Sequence, residues 1–310
     1  MKWSRPISES SARIQKSIEF IRDNISRSIT VADAAKIACY SEYHFQRLFK
    51  DEVGESFGAY VTRKKLETAA IKIAYGRDVN LTDIAFRYGY SSLSNFSKAF
   101  ERFFGVRPSE IRDLIVKPPK KPGKLQDRYS KELVSKEMFT DEPHPTEEGL
   151  KVRFRNVEDN LKITMVEPFD VIFLSSRKGY EIEGVQGLWQ EIEDYLQDLN
   201  LPSEQVDRFA ICHDHPALFP KEKCRYDACL RYQPGLEALP FLRTTIPGGR
   251  FAVFSCKGPP EAVLDQYIEF SKVWLPRSGY EPTDFPVVDH LLPPDRAPYI
   301  QELWRHISRV

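Results

Sequence analysis

The spacing of apolar positions changes character once along the chain, near residue 116. Before that point apolar side chains return every three or four positions, the period of an amphipathic helix, and no proline interrupts the text between Pro6 and Pro108. Beyond residue 150 the pattern shortens to β-branched and aromatic runs: DVIFLSS (170–176), RFAICH (208–213), YDACLRY (226–232) and RFAVFSC (250–256). Helical stretches around 185–199 and 260–273 interleave with them. Between the two patterns lies KPPKKPGKLQDRYSKELVSKEMFTDEPHPTEEG, rich in Pro, Lys and Glu and without apolar periodicity. The pattern predicts a helical unit over 8–115, a linker over 116–150 and a mixed α and β unit over 151–310.

The helical unit repeats itself. VADAAKIACYS (31–41) lies over LTDIAFRYGYS (81–91) at an offset of 50, matching Asp33 to Asp83, Ala35 to Ala85 and Tyr40-Ser41 to Tyr90-Ser91. Past the turn the offset is 51, and Phe45, Phe49 and Gly54 match Phe96, Phe100 and Gly105. A short helix, a tight turn and a second helix with inward aromatics is the layout of a helix-turn-helix, here present twice. In the first unit Phe45, Leu48, Phe49 and Val53 share the inner face, which leaves Tyr43, Gln46, Arg47 and Lys50 outside. Arg and Gln can make paired hydrogen bonds to guanine and adenine edges, whereas Lys suits phosphate. In the second unit Phe96, Phe100 and Phe103 are expected inside, with Leu93, Ser94, Ser97, Lys98 and Arg102 outside. Residues 56–76 read as one long helix with Phe57, Tyr60, Val61, Leu66, Ala69, Ala70 and Ile73 as its apolar stripe. Such a spacer could hold two reading helices roughly 34 Å apart, one turn of duplex.

Charge supports the division. The whole chain is neutral, yet residues 1–115 hold 19 Lys/Arg against 14 Asp/Glu, and residues 151–310 hold 19 against 24. A basic half suits a polyanion; an acidic, aromatic-rich half suits a cationic or amphipathic ligand. The five cysteines form an odd set with no CxxC pair, there is no secretory leader and no membrane-length apolar run, so a cytoplasmic protein without a membrane partner is expected. No GxSxG, HExxH, GxGxxG or P-loop pattern is present, and no enzyme is expected. Cys212, His213 and His215, with Cys224 and Cys229 nearby, match no zinc spacing, so neither a metal nor a cofactor is expected.

Residues 11–115 resemble the DNA-binding domain of AraC/XylS-type regulators, through VADAAKIACYSEYHFQRLFKDEVGESFGAYV and LTDIAFRYGYSSLSNFSKAFERFFGVRPSEIR. The resemblance implies base contacts from Glu42, Tyr43, Gln46 and Arg47 and from Leu93, Ser94, Ser97 and Lys98, with promoter DNA and RNA polymerase as partners. Lys65 stands where the family usually has Arg, keeping the charge. The second half resembles the GyrI-like domain through RYDAC (225–229), IPGGRFAVFSCKGPPEAV (246–263) and WLPRSGYEPTDFPVVDHLLP (274–293). That likeness implies an α+β fold of duplicated βαββ type around a pocket for a small effector. The family's pocket glutamate falls on Asp289, one methylene shorter, and Trp189, Trp274 and Tyr280 are expected at the pocket. The implied protein is a sequence-specific transcription regulator that senses a small molecule. The alternatives for the second half are a hydrolase of small reactive compounds and a ligand-free protein-interaction module.

Overall fold

In the first half, helix starts are written in hydroxyl and amide side chains. Helices α1 (Glu9–Asp23), α2 (Val31–Ile37), α3 (Glu42–Val53), α4 (Phe57–Tyr75), α5 (Leu81–Arg87) and α6 (Leu93–Phe104) begin after Ser8, Thr30, Ser41, Ser56, Asn80 and Ser92. Each of these side chains accepts an amide hydrogen bond from the first turn, a contribution of about 1 kcal/mol apiece. The computed structural model describes residues 8–76, 79–111, 147–176, 179–215, 218, 224–236, 241–258, 266–267, 269–292 and 300–309.

The repeat seen in sequence has a structural counterpart. The turn between α2 and α3 passes through Cys39 at φ 56°, and that between α5 and α6 through Gly89 at φ 81°, fifty residues on. Ser41 then caps α3 while Ser92, not Ser91, caps α6, so the second turn is one residue longer. The Asn95 side-chain amide donates to Ser91 Oγ at 2.8 Å and holds the extra residue. Both α3 and α6 end in a left-handed glycine, Gly54 and Gly105.

Of the expected linker, residues 116–146 lie outside the described residues, and residues 147–150 open a helix, α7 (Glu147–Glu158). This helix packs on the second half: Val157 is buried and Arg153 ion-pairs with Glu269. The helix expected around 185–199 is α8 (Ile182–Asp198). The one expected over 260–273 falls partly outside the described residues and closes as a wide helical turn at Phe270–Trp274.

Nine strands form the sheet of the second half among the described residues: β1 (Leu161–Val166), β2 (Phe169–Ser175), β3 (Arg208–Cys212), β4 (Tyr226–Arg231), β5 (Leu242–Ile246), β6 (Gly249–Lys257), β7 (Tyr280–Pro282), β8 (Val287–Leu291) and β9 (Ile300–Arg309). The order is β1-β6-β9-β8-β3-β4-β2-β5, antiparallel throughout, with β7 pairing β9 to the side. Read outward from the β8–β3 pair the order is symmetric. Strands β2, β3 and β4 on one side answer β6, β8 and β9 on the other, and β1 and β5 are exchanged between the two units. This is the duplicated βαββ arrangement, with the Ala210–Asp289 pair at the middle of the central ladder.

Alternation along the strands gives the sheet two buried faces. Ala210, Ala228 and Leu230 pack under Ile192, Tyr195 and Leu196 of α8, whereas Phe173, Phe209, Phe251 and Val288 fill the opposite face. The core of the helical half continues into the second half through Phe254, Phe270, Trp274, Leu303 and Ile307.

The two halves therefore meet along α4, and here the structure goes beyond the sequence. The expected apolar stripe of α4 is buried, but so are Arg63, Glu67, Lys72 and Tyr75, which would read as a solvated face. Lys72 donates to the Pro282 carbonyl at 2.9 Å, Tyr75 Oη lies 3.1 Å from His215 Nε2, and Tyr88 donates to Asp284 at 3.2 Å.

Candidate DNA-reading surface and effector cavity

The outer faces of α3 and α6 are set by what lies inside them. Phe45 and Phe49 are fully buried, in edge contact with Phe57 of α4, which fixes the roll of α3 and turns Glu42, Tyr43, Gln46, Arg47 and Lys50 to solvent. Tyr43 is 83% exposed, an unusual position for an aromatic ring without a partner to cover it. Arg47 Nη2 sits 3.4 Å from His44 Nδ1, still at the surface.

In α6 the fully buried rings are Phe96, Phe100 and Phe104, four residues apart along one ridge. Phe103, expected inside, is only half-buried and leans edge-on against Phe104 at 4.8 Å. Ser94, Lys98 and Arg102 are exposed, while Leu93 and Ser97 are half-buried, Leu93 packing against the core. Fewer of the expected outer positions are thus exposed on α6 than on α3.

A cavity of about 460 Å³ lies between the halves. One wall belongs to the helical half, with Ile18 and Ile21 from α1, Ile25 from the turn after it, and Lys64, Lys72 and Tyr75 from α4. The other belongs to the second half, with Tyr226, Asp289 and Arg305 from the sheet, Trp189 from α8 and Tyr267 from the helical stretch before Phe270. Trp189 Nε1 donates to Tyr226 Oη at 3.0 Å, and Tyr180 stands edge-on to Tyr226, so this aromatic corner is held by its own hydrogen bonds.

Of the residues expected at the pocket, Trp189 and Asp289 line the cavity; Trp274 and Tyr280 lie outside its lining. Trp274 is 3% exposed, sandwiched between Phe270 at 5.4 Å and Tyr280 at 6.2 Å in the core beneath the helical turn. An aromatic run cannot say from sequence which ring faces a cavity and which its neighbours.

The polar side chains from Cys212 to His215 each meet a separate partner. Cys212 Sγ donates to Asp289 Oδ2 at 3.8 Å, and its thiol is pushed well up by burial and by that carboxylate. His213 Nε2 is 2.6 Å from Asp227, which also takes Arg225 at 3.0 Å. Asp214 crosses to the helical half, accepting from Lys64 at 2.7 Å and Arg63 at 3.0 Å. Burial alone would raise the Asp214 carboxyl, but these two cations outweigh it and hold it well below the carboxylate range. His215, buried among the cations Arg305 and Lys272, is pushed down to about 4 and stays neutral. Among the described residues no group of three or more His, Cys, Asp or Glu gathers as a metal-ligand set.

Sequence reading did not reach Arg305, Asp214, Lys72 or Tyr75 as cavity or junction residues. For Arg305 a signal existed: Leu303, Arg305 and Ile307 alternate on the buried face of β9, so an arginine occupies an apolar parity. For α4 the clue was alanine and isoleucine recurring on more than one side of its last two turns, the mark of a helix buried all round.

A duplicated helix-turn-helix with exposed polar outer faces, docked on a duplicated βαββ sheet with a cavity between them, defines a two-domain DNA-binding regulator with a small-molecule site. Residues 34–113 match the family model of a helix-turn-helix domain and residues 159–306 that of the GyrI-like small molecule binding domain. The chain belongs to the AraC-type helix-turn-helix regulators and carries a GyrI-like second domain. It is 35% identical over 88 residues to the probable transcription factor PqrA of Proteus vulgaris, a match covering 28% of this chain and 71% of that protein. It is 30% identical over 99 residues to the multiple antibiotic resistance protein MarA of Escherichia coli, covering 32% and 77% respectively. To the HTH-type transcriptional regulator YbfP of Bacillus subtilis it is 29% identical over 102 residues, 33% of this chain and 34% of that protein. The chain thus spans about a third of the length of YbfP. Among the described residues no helix is long and apolar enough to cross a membrane.

Proposed function

We propose that this protein is a one-component transcription regulator in which α3 and α6 read promoter DNA and a small effector bound in the interdomain cavity adjusts that reading. The observation that carries the proposal is the cavity itself, because its walls come from both halves: α1 and α4 on one side, the GyrI-like sheet on the other. A ligand there touches the spacer helix that supports both reading helices. If its affinity depends on how α4 sits against the sheet, DNA affinity changes with it, and by linkage DNA changes effector affinity by the same factor.

In α3, Gln46 and Arg47 supply base-edge hydrogen bonds, Glu42 and Tyr43 flank them, and Lys50 pairs with phosphate. In α6, Leu93 offers an apolar contact to a thymine methyl, Ser94 and Ser97 hydrogen bonds, and Lys98 and Arg102 phosphate contacts. RNA polymerase is the expected protein partner and the cytoplasm the expected compartment, in keeping with five free cysteines. Cys212, the thiol that faces the cavity, is held protonated and is a poor nucleophile, which favours sensing over turnover.

The test is selection of bound sequences from a random duplex library with the full-length chain. The expected result is an enriched motif with two conserved blocks about one helical turn apart, relaxed at one position by Arg47→Ala. Absence of any enriched sequence would overturn the reading.

A further inference from the structure

The charges that line the cavity differ in how they are compensated. Lys64 meets Asp214 at 2.7 Å and Glu67 at 3.2 Å, Lys72 has Asp284 at 3.7 Å, and Arg22 has Asp23 at 2.8 Å. Arg305, 7% exposed, has no carboxylate within ion-pair distance among the described residues. Its Nη2 donates to the Thr283 carbonyl at 3.3 Å, while the Tyr75 and Tyr267 hydroxyls and Asp284 act on it through space.

Asp289 lies on the same wall. In the β8–β9 ladder it stands opposite Leu303, so Arg305 is its diagonal neighbour, at a Cα separation of about 7–8 Å that a long side chain can span. No ion pair joins the two: Arg305 Nη2 turns to the Thr283 carbonyl and Asp289 Oδ2 to Cys212. The two groups have different escapes from burial. A carboxyl can take up a proton, and Asp289 goes part of the way, raised to about 6 by burial. A guanidinium cannot shed its charge in a protein. Glu19, on the α1 wall, also lacks an ion-pair partner among the described residues, but it is only half-buried and accepts from the Gln15 amide at 3.1 Å. Among the described residues the permanent charge that is both buried in this cavity and without a counter-ion is therefore positive, even though the domain around it carries an acidic surplus.

We propose that the effector is an amphipathic organic carboxylate, its acid group paired in a two-pronged hydrogen bond with Arg305 and its apolar body lying between α1 and the Trp189–Tyr226 corner. This rests on the reading of the cavity as the effector site and replaces the cationic ligand suggested by composition. The volume, about 460 Å³, suits a molecule of drug-like size. The acid group then stands beside Tyr75, so the ion pair forms where the spacer helix meets the sheet.

The experiment is calorimetric titration of the full-length protein at pH 7.5 with three isosteric probes: 2-naphthoate, 2-naphthamide and 2-naphthylmethylammonium. Naphthoate is expected to bind about tenfold or more tighter than the amide, the worth of a charge-assisted hydrogen bond. Arg305→Met should abolish that advantage, weakening naphthoate more than the amide. Tightest binding of the ammonium, no preference for naphthoate over the amide in the wild type, or a carboxylate preference that survives Arg305→Met overturns the proposal and leaves the effector cavity standing. Failure of all three probes to bind removes the effector cavity and this proposal together. The wild-type comparison decides the matter even if the variant does not fold.

Discussion

His215 and Asp289 line one cavity, and burial is the largest cause that moves them in opposite senses: the imidazole down to about 4 from an ordinary 6.5, helped by the cations Arg305 and Lys272, the carboxyl up to about 6 from 3.8. An imidazole that binds protons more weakly when folded costs stability as pH falls from about 6.5 toward 4. A carboxyl that binds its proton more strongly when folded adds stability as pH falls through about 6. Between pH 7 and 5 linkage makes the His215 loss about 2 kcal/mol and the Asp289 gain about 1 kcal/mol. The perturbations are His215→Gln, which keeps a polar group near the Tyr75 hydroxyl, and Asp289→Asn. Urea unfolding followed by tryptophan fluorescence at the two pH values provides the free energies. His215→Gln is expected to lose about 2 kcal/mol less than wild type on acidification, and Asp289→Asn about 1 kcal/mol more. His213 and His306, also lowered by burial, titrate in all three proteins and cancel in the comparison. Equal acid sensitivity in all three, or an Asp289→Asn protein that tolerates acid better than wild type, would refute burial as the cause.

Three further outcomes follow from the same geometry. Asp214→Ala leaves Arg63 and Lys64 short of a buried partner and should destabilise the protein by about 3–5 kcal/mol, read by calorimetric melting; an unchanged melting profile would mean the junction does not depend on this carboxylate. Cys39 occupies a left-handed position that its repeat partner Gly89 fills without strain, so Cys39→Gly should stabilise by about 1 kcal/mol, and a lower melting temperature would contradict it. On a selected DNA site, Arg47→Ala should cost about 1–3 kcal/mol with sequence preference relaxed at one position. Lys50→Ala should instead weaken all sequences alike and lower the salt slope by about one, and the reverse assignment would show as a swap of the two effects.

Much of the helical half was legible because its information is local. Caps at Ser41, Ser56 and Ser92, the phenylalanines at spacing four, and the left-handed positions at Gly54, Gly89 and Gly105 act within one or two turns. The strands written as β-branched and aromatic runs, β2, β3, β4 and β6, were legible for the same reason. Phe103 and Phe104 were not separable, since adjacent rings at a helix end compete for one groove and the choice depends on what fills it.

What the sequence determined by itself is the duplicated reader, the turn that lengthens by one residue in the second unit, and the family of each half. Tertiary structure alone decided that the charged side of α4 is buried, that Asp214 pairs with Arg63 and Lys64 some 150 residues away, and that Trp189 rather than Trp274 faces the cavity. The physical reason is range. Periodicity and capping depend on neighbours in sequence, whereas pairing of buried charges and formation of a cavity depend on which surfaces meet, and no local pattern records the far side of an interface.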